Sequence, residues 1–150
     1  MNDVNPNTSH TADEADPSAI VETWLLAFEN ALASGSTDSL ASLFEEDSHW
    51  RDILAFTWHL TPKTGVQAIS ELLLARFATI GAQGFSLSPA RAQPRNVNRL
   101  GRTCVEAIFR FETNVGRCEG VLRMTPGADG IYRAWVLSTS LEELKGFEEK

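Results

Sequence analysis

Between Pro17 and Leu32 the large apolar residues fall at Ile20, Val21, Trp24, Leu25, Phe28, Ala31 and Leu32, the spacing of one helical face. Asp16 before Pro17 offers an N-cap and a proline suited to a first turn, and Gly35 marks the end. A second helix is predicted over about 37–45, with Leu40, Leu43 and Phe44 on one side and Ser36 or Thr37 as cap. A third follows Thr64-Gly65-Val66-Gln67, which fits a capping box; it carries Val66, Ile69, Leu72, Leu73, Arg76 and Phe77 and stops by Gly81. From Gly84 the period drops to two, the mark of a sheet. Phe85 and Leu87 lie in one strand, Val105, Ala107, Phe109 and Phe111 in the next, Cys118, Leu122 and Met124 in a third, and Ile131, Trp135 and Leu137 in a fourth. Turn residues at 98–101, 114–116 and 126–130 separate them, too short for helical crossovers, so the connections are antiparallel. Ser140-Leu141-Glu142-Glu143 forms another capping box and predicts a short helix from Leu141. The layout is α+β, three helices around an edge strand and then a curled antiparallel sheet.

The stretch 47–59 connects the two halves. Read as one strand, it puts Trp50, Asp52, Leu54, Phe56 and Trp58 on one face and His49, Arg51, Ile53, Ala55 and Thr57 on the other. Burying the four large apolar side chains is worth roughly 6–12 kcal/mol, whereas neutralising one carboxylate at pH 7 costs about 4 kcal/mol at most. The aromatics are therefore expected to carry Asp52 inside, where Arg51, on the opposite face, cannot pair with it. An inward carboxylate without a partner favours its protonated form.

Composition narrows the classes. A chain of 150 residues fits one domain with a real core. Residues 1–15 are polar and read as a disordered leader. Cys104 and Cys118 are too few for a disulfide framework and have no metal-ligand spacing, so a reducing compartment and two small core residues are expected. Neither a secretory signal nor a membrane-length apolar run is visible, and a cytoplasmic protein is expected. Most of the net charge of −7 comes from residues 1–16 and 141–150, leaving about −1 between them. That balance argues against nucleic acid, whose phosphates need a clustered basic face. One asymmetry remains: residues 91–133 hold eight Arg against Glu106, Glu112, Glu119 and Asp129. It reads either as an anionic-ligand site or as surface pairing between sheet and helices.

The order of elements, with Ala41-Ser42-Leu43-Phe44 running into Trp50-Arg51-Asp52 and Gly65 opening a helix, resembles the nuclear transport factor 2-like, or SnoaL-like, domains. The resemblance implies a cone-shaped curled antiparallel sheet packed on three N-terminal helices, the cystatin-like α+β barrel, over 16–140, with a pocket at its open end. Residues 141–150 would be a C-terminal helix or linker. A closer likeness rests on the run from Ser48 to Trp58, on Phe111-Glu112-Thr113 with Gly116-Arg117, and on Arg133-Ala134-Trp135 leading to Leu141-Glu142-Glu143-Leu144-Lys145-Gly146. These resemble the N-terminal domain that precedes the flavin and nicotinamide domains of bacterial and fungal flavin-containing monooxygenases. In that family the flavoprotein part begins soon after the stretch matching Lys145-Gly146, so FAD and NADPH would belong to downstream domains. No GxGxxG turn occurs among the ten glycines, and no cofactor is expected on this chain. His59 stands where the family is expected to have an acidic or otherwise polar residue.

Two readings of Asp52 follow. In the first it is a general acid or base in an apolar pocket, as in cone-fold isomerases, dehydratases and cyclases acting on a hydrophobic carbonyl compound. In the second it fixes the strand by accepting hydrogen bonds from a backbone amide or an indole N–H. The first needs a donor facing the base, and the lone Tyr, Tyr132, alternates away from Trp135. His49 and His59 are weaker candidates as partners of Asp52, and their spacing suits no metal. Trp24, Phe28, Trp50, Leu54, Phe56, Trp58, Phe109 and Trp135 either line a pocket for a hydrophobic small molecule or form plain core. Glu106, Arg110, Arg117, Glu119, Arg123 and Arg133 would make the outer sheet face charged and self-complementary, which fits a homodimer.

Overall fold

Asp16 accepts a hydrogen bond from the Ser18 amide, and Pro17 opens α1 (Pro17–Ser34), which ends in the left-handed conformation of Gly35. The computed structural model describes residues 16–53, 55–56, 60–89 and 91–144. The expected leader 1–15, Leu54, Trp58, His59 and residues 145–150 lie outside the described residues. Val21, Trp24, Leu25, Phe28, Ala31 and Leu32 are the buried stripe of α1, as their spacing predicts. α2 (Thr37–Ala41) is shorter than expected, because Phe44 turns inward as the first residue of β1 (Phe44–Ile53). A hairpin leads to β2 (Leu60–Thr64) and then to α3 (Val66–Ile80). The expected capping box before α3 does not form. Gly65 holds the N-cap position with no side-chain bond, and Thr64 faces His49 instead.

The remaining strands are β3 (Gln83–Leu87), β4 (Arg95–Arg99), β5 (Arg102–Glu112), β6 (Gly116–Pro126) and β7 (Tyr132–Leu144). They join β1 and β2 in a curled sheet of order β2-β1-β7-β6-β5-β3, with β4 also paired to β5. Three expectations are corrected. The strand carrying Trp50 and Asp52 is internal rather than at the edge, and it runs parallel to β7, so the sheet is mixed. β4 is a strand that sequence reading misses, because Arg95-Asn96-Val97-Asn98-Arg99 carries a single apolar residue and no alternation. Residues 141–144 continue β7 rather than opening a helix: Leu141, Glu143 and Leu144 pair with Cys118, Arg117 and Gly116, and that ladder outweighs the capping signal.

The sheet wraps its inner face around α1 and α3. Val105, Ala107, Phe109 and Phe111 of β5 and Cys118, Leu122 and Met124 of β6 are buried there, at inward positions of alternating strands. Gly120 sits opposite Phe109, and a Cβ at that position would lie 2.2 Å from the phenyl ring. The ring needs the missing side chain. Among the described residues no helix is long and apolar enough to cross a membrane.

Candidate functional site

β1 brings Trp50 and Asp52 to the inner face, 1% and 0% exposed, while His49, Arg51 and Ile53 face outward and are exposed. To this point the alternation holds. The strand then ends at Ile53, and residues 55 and 56 lie in a bend, so Ala55, expected outside, is buried together with Phe56. The bend is clamped from two sides. The Phe56 amide donates to both Asp52 oxygens, at 3.1 and 3.0 Å, and the Phe56 carbonyl accepts from Arg76 Nε of α3 at 3.3 Å.

A second partner of Asp52 among the described residues comes from across the parallel pair. Thr139, at an inward position of β7, donates its hydroxyl to Asp52 Oδ1 at 2.5 Å and accepts from Trp50 Nε1 at 2.9 Å. Asp52 and Thr139 are register partners. Indole, hydroxyl, carboxylate and backbone amide thus form one chain of hydrogen bonds in the buried interior, where each polar group needs a partner. The expectation of an unpartnered carboxylate is corrected. Sequence reading misses Thr139 as the partner of Asp52 and Arg76 as the partner of the Phe56 carbonyl; the available signals are a polar residue two positions after inward Leu137 and an arginine on the apolar stripe of α3.

The structure separates the other candidate residues. His49 is exposed on the outer face, its Nδ1 3.3 Å from Thr64 Oγ1, on the opposite side of β1 from Asp52. Trp24, Phe28, Trp50, Phe56 and Phe109 are on the inner face, but as packed core. Trp24 stacks on Phe28 at 4.7 Å, Phe28 meets Phe85 at 5.2 Å, and Phe85 stacks on Phe111 at 4.7 Å. Phe111 meets both Phe109 and Phe56, and Phe56 meets Trp50 edge-on at 5.6 Å. Edge-to-face and offset contacts at these distances are the favoured aromatic geometries.

Trp135 lies apart from these rings. A β-bulge makes it the extra residue between Ala134, opposite Met124, and Val136, opposite Arg123. Ala134 takes the core place, and the Trp135 ring is covered by the Arg102 guanidinium, 4.2 Å from its centroid. Arg102 is itself 3.6 Å from Asp47.

Several concave regions open elsewhere. An apolar groove of about 400 Å³ runs between α1 and the start of β7, lined by Ile20, Trp24, Ala27, Leu43, Ile131 and Tyr132 among others. Trp24 is fixed in its wall by donating Nε1 to the Leu43 carbonyl at 2.9 Å. Asp52 is fully buried and is not among the residues that line this groove. A more polar hollow of about 660 Å³ lies at the β3 edge, bordered by Glu29, Ser86, Arg110, Glu112 and Arg117. Among the described residues no group of His, Cys, Asp and Glu is placed to hold a metal ion.

No protein-family model matches the sequence. No curated protein matches it either. Among solved structures the chain is similar to a ketosteroid isomerase-like protein from Erwinia carotovora atroseptica, at 12% identity and TM-score 0.57, over 84% of this chain and 96% of that one. It is similar to a cystatin-like protein of unknown function from Nostoc punctiforme, at 11% identity and TM-score 0.59, over 83% and 90%. A nuclear transport factor 2-like protein with a cystatin-like fold from Novosphingobium aromaticivorans gives 12% identity and TM-score 0.53, over 83% and 81%. At such identities the likeness is one of fold, and the chain has the cystatin-like, nuclear transport factor 2-like α+β fold that the sequence resemblance implies.

Proposed function

We propose that this chain is an accessory, non-redox domain of the type that precedes the flavin and nicotinamide domains of flavin-containing monooxygenases, serving in cytoplasmic small-molecule binding or dimerisation. The observation that carries the reading is the use of Asp52. A working general base must present a free oxygen to substrate within hydrogen-bond reach, and here the Phe56 amide and the Thr139 hydroxyl hold the carboxylate against the fold. The surfaces left for function are the apolar groove beside α1, which suits a hydrophobic small molecule, and the outer sheet face. On that face Ile108 sits opposite Val121, Val136 lies in the adjacent row next to Arg123, and Ile53 is 44% exposed, framed by arginine–carboxylate pairs. An apolar centre with a charged rim is the anatomy of a protein interface, and a second copy of the domain is the partner its mixed charges fit. FAD and NADPH are assigned to other domains.

Three measurements test this. The purified chain should show no flavin absorption. Sedimentation should give a dimer that Val121→Glu converts to monomer. The wild-type chain should leave a simple β,γ-unsaturated ketone, 3-cyclohexen-1-one, unisomerised. Turnover of that ketone that disappears in a folded Asp52→Asn variant would overturn the accessory reading in favour of a stand-alone isomerase, dehydratase or cyclase using Asp52 as acid or base.

A further inference from the structure

Four of the eight arginines between residues 91 and 133 are each paired with a different carboxylate. Arg91 pairs with Glu119, Arg102 with Asp47, Arg117 with Glu143 and Arg133 with Asp129. Two of these pairs join two strands and two join a strand to a loop; none reaches a helix. Glu106 breaks the parity. Arg95 of β4, Glu106 of β5 and Arg123 of β6 are register partners in one row across the sheet, and Arg99 joins from the same β4 strand. Glu106 accepts from Arg123 Nε at 2.7 Å, from Arg99 Nη2 and Nε at 3.0 and 3.2 Å, and from Arg95 Nη2 at 3.4 Å.

Three positive charges meet one negative charge, and the layering matters. The Glu106 side chain is 12% exposed, whereas those of Arg95, Arg99 and Arg123 are 55%, 39% and 31% exposed. The carboxylate lies beneath and the guanidiniums open to solvent. Arg123 is tethered through Nε, and its two terminal amino groups have no partner among the described residues; Arg95 is tethered through one terminal nitrogen. Several donors therefore point outward from side chains already held in place, which reduces the ordering entropy that binding must overcome.

We infer that Arg95 and Arg123, with Arg99 beside them and Glu106 as the anchor beneath, form a binding site for a phosphate group. The local surplus of two positive charges matches a group carrying about −1.5 to −2 at neutral pH, and the guanidinium fork suits its tetrahedral oxygens. On a chain of net charge −7 a weak, diffuse attraction for anions is not expected, so such binding must be local. The inference does not rest on the accessory-domain reading, but the site shares the outer sheet face with the dimer proposed there, since Arg123 is the register partner of Val136. The chain is therefore titrated at a concentration where sedimentation gives the monomer.

The test is titration of the chain with inorganic phosphate at constant ionic strength set by sodium chloride, read from the arginine side-chain N–H resonances and from thermal unfolding. Saturable shifts are expected at Arg95 and Arg123, with a rise in Tm. Arg123→Gln and Arg95→Gln should each weaken binding about tenfold, the loss of one charge-assisted bond. Arg91→Gln, which breaks the one-to-one pair with Glu119, should leave binding unchanged. Arg95, half exposed and held by a single long bond, can be replaced without threat to folding. Phosphatidylcholine vesicles with and without phosphatidic acid distinguish a lipid headgroup from a free phosphate: binding lost in Arg123→Gln supports the site in either form. A phosphate response equal to that of chloride, or one that both glutamine variants retain, would overturn it.

Discussion

Thr139 on β7 gives its hydroxyl hydrogen to Asp52 on β1 at 2.5 Å, across a parallel strand pair in which the two residues are register partners. The bond links the last strand of the sheet to the bend that follows β1, because the same carboxylate accepts the Phe56 amide. Removing a buried acceptor of this kind leaves its donors unpaired, at about 1–3 kcal/mol. Asp52→Ala is therefore expected to lower Tm by several degrees, and Asp52→Asn by less, since an amide oxygen can still accept from Phe56. Thermal unfolding followed by circular dichroism reads the difference. An unchanged Tm in both variants would mean that Asp52 does not hold the bend.

Trp50 enters the same chain through its indole N–H, 2.9 Å from Thr139 Oγ1. Groups in one hydrogen-bond network couple, so Trp50→Phe and Thr139→Val should cost less together than the sum of their separate effects, by roughly 0.5–3 kcal/mol. Urea unfolding of the four proteins in the cycle measures the coupling. Strict additivity would place the indole outside the network.

Much of this architecture is legible from local pattern, and the exceptions have physical reasons. α1 is readable end to end because stripe, cap and stop agree. The inward placement of Trp50 and Asp52 follows from alternation and from the weight of aromatic burial. What holds Asp52 is not readable, since Thr139 is 87 residues away and is brought near by a parallel pairing that no turn announces. The expected ring pocket loses Trp135 to a bulge, a one-residue insertion that leaves no mark in composition. The helix expected from Leu141 fails because a capping signal of about 1 kcal/mol competes with a continuous strand ladder.

The β4–β5 hairpin carries a local strain that can be relieved. Arg99 pairs directly with Arg102, so Leu100 and Gly101 form a two-residue turn, and both have positive φ, 54° and 79°. Such turns favour Asn-Gly, whereas a leucine in the left-handed region costs about 1–2 kcal/mol. Leu100 is 91% exposed, so nothing is lost from the core by replacing it. Leu100→Asn should stabilise the chain by about 0.5–1 kcal/mol, seen as a higher urea midpoint at constant slope. A lower midpoint would show that the leucine has contacts of its own.

Gly120 predicts the opposite sign. A Cβ there meets Phe109 carbons at 2.2 and 2.5 Å and the Ser138 carbonyl at 2.7 Å, and a backbone atom cannot swing away as a side chain can. Gly120→Ala should destabilise by about 1–3 kcal/mol, the cost of overpacking. Phe109→Leu, damaging alone, should cost less in the Gly120→Ala background. If the two effects simply add, the contact is not what demands a glycine.

Acid sensitivity should be traceable to Glu106. Burial pushes its carboxyl upward, but the hydrogen bonds from Arg123 and Arg99 together outweigh that effect and hold it below its ordinary value of 4.5. A group depressed in the folded state contributes stability that is present above its unfolded value and disappears as pH falls through the folded one. The contribution is thus complete at neutral pH and fades below about pH 4.5. Glu106→Gln should lower stability at pH 7, where three guanidiniums lose their counter-charge, and should flatten the decline between pH 5 and the acid limit, narrowing the gap from wild type. Asp129, held down to about 2 first by the Arg133 hydrogen bond and then by the Ile131 amide, is solvent-exposed, with 49% of its side chain accessible, so Asp129→Asn serves as the control with a much smaller change in slope. Urea midpoints of the three proteins across this pH range decide the matter: parallel curves for wild type and Glu106→Gln would show that the arginine cluster does not depend on an ionised Glu106.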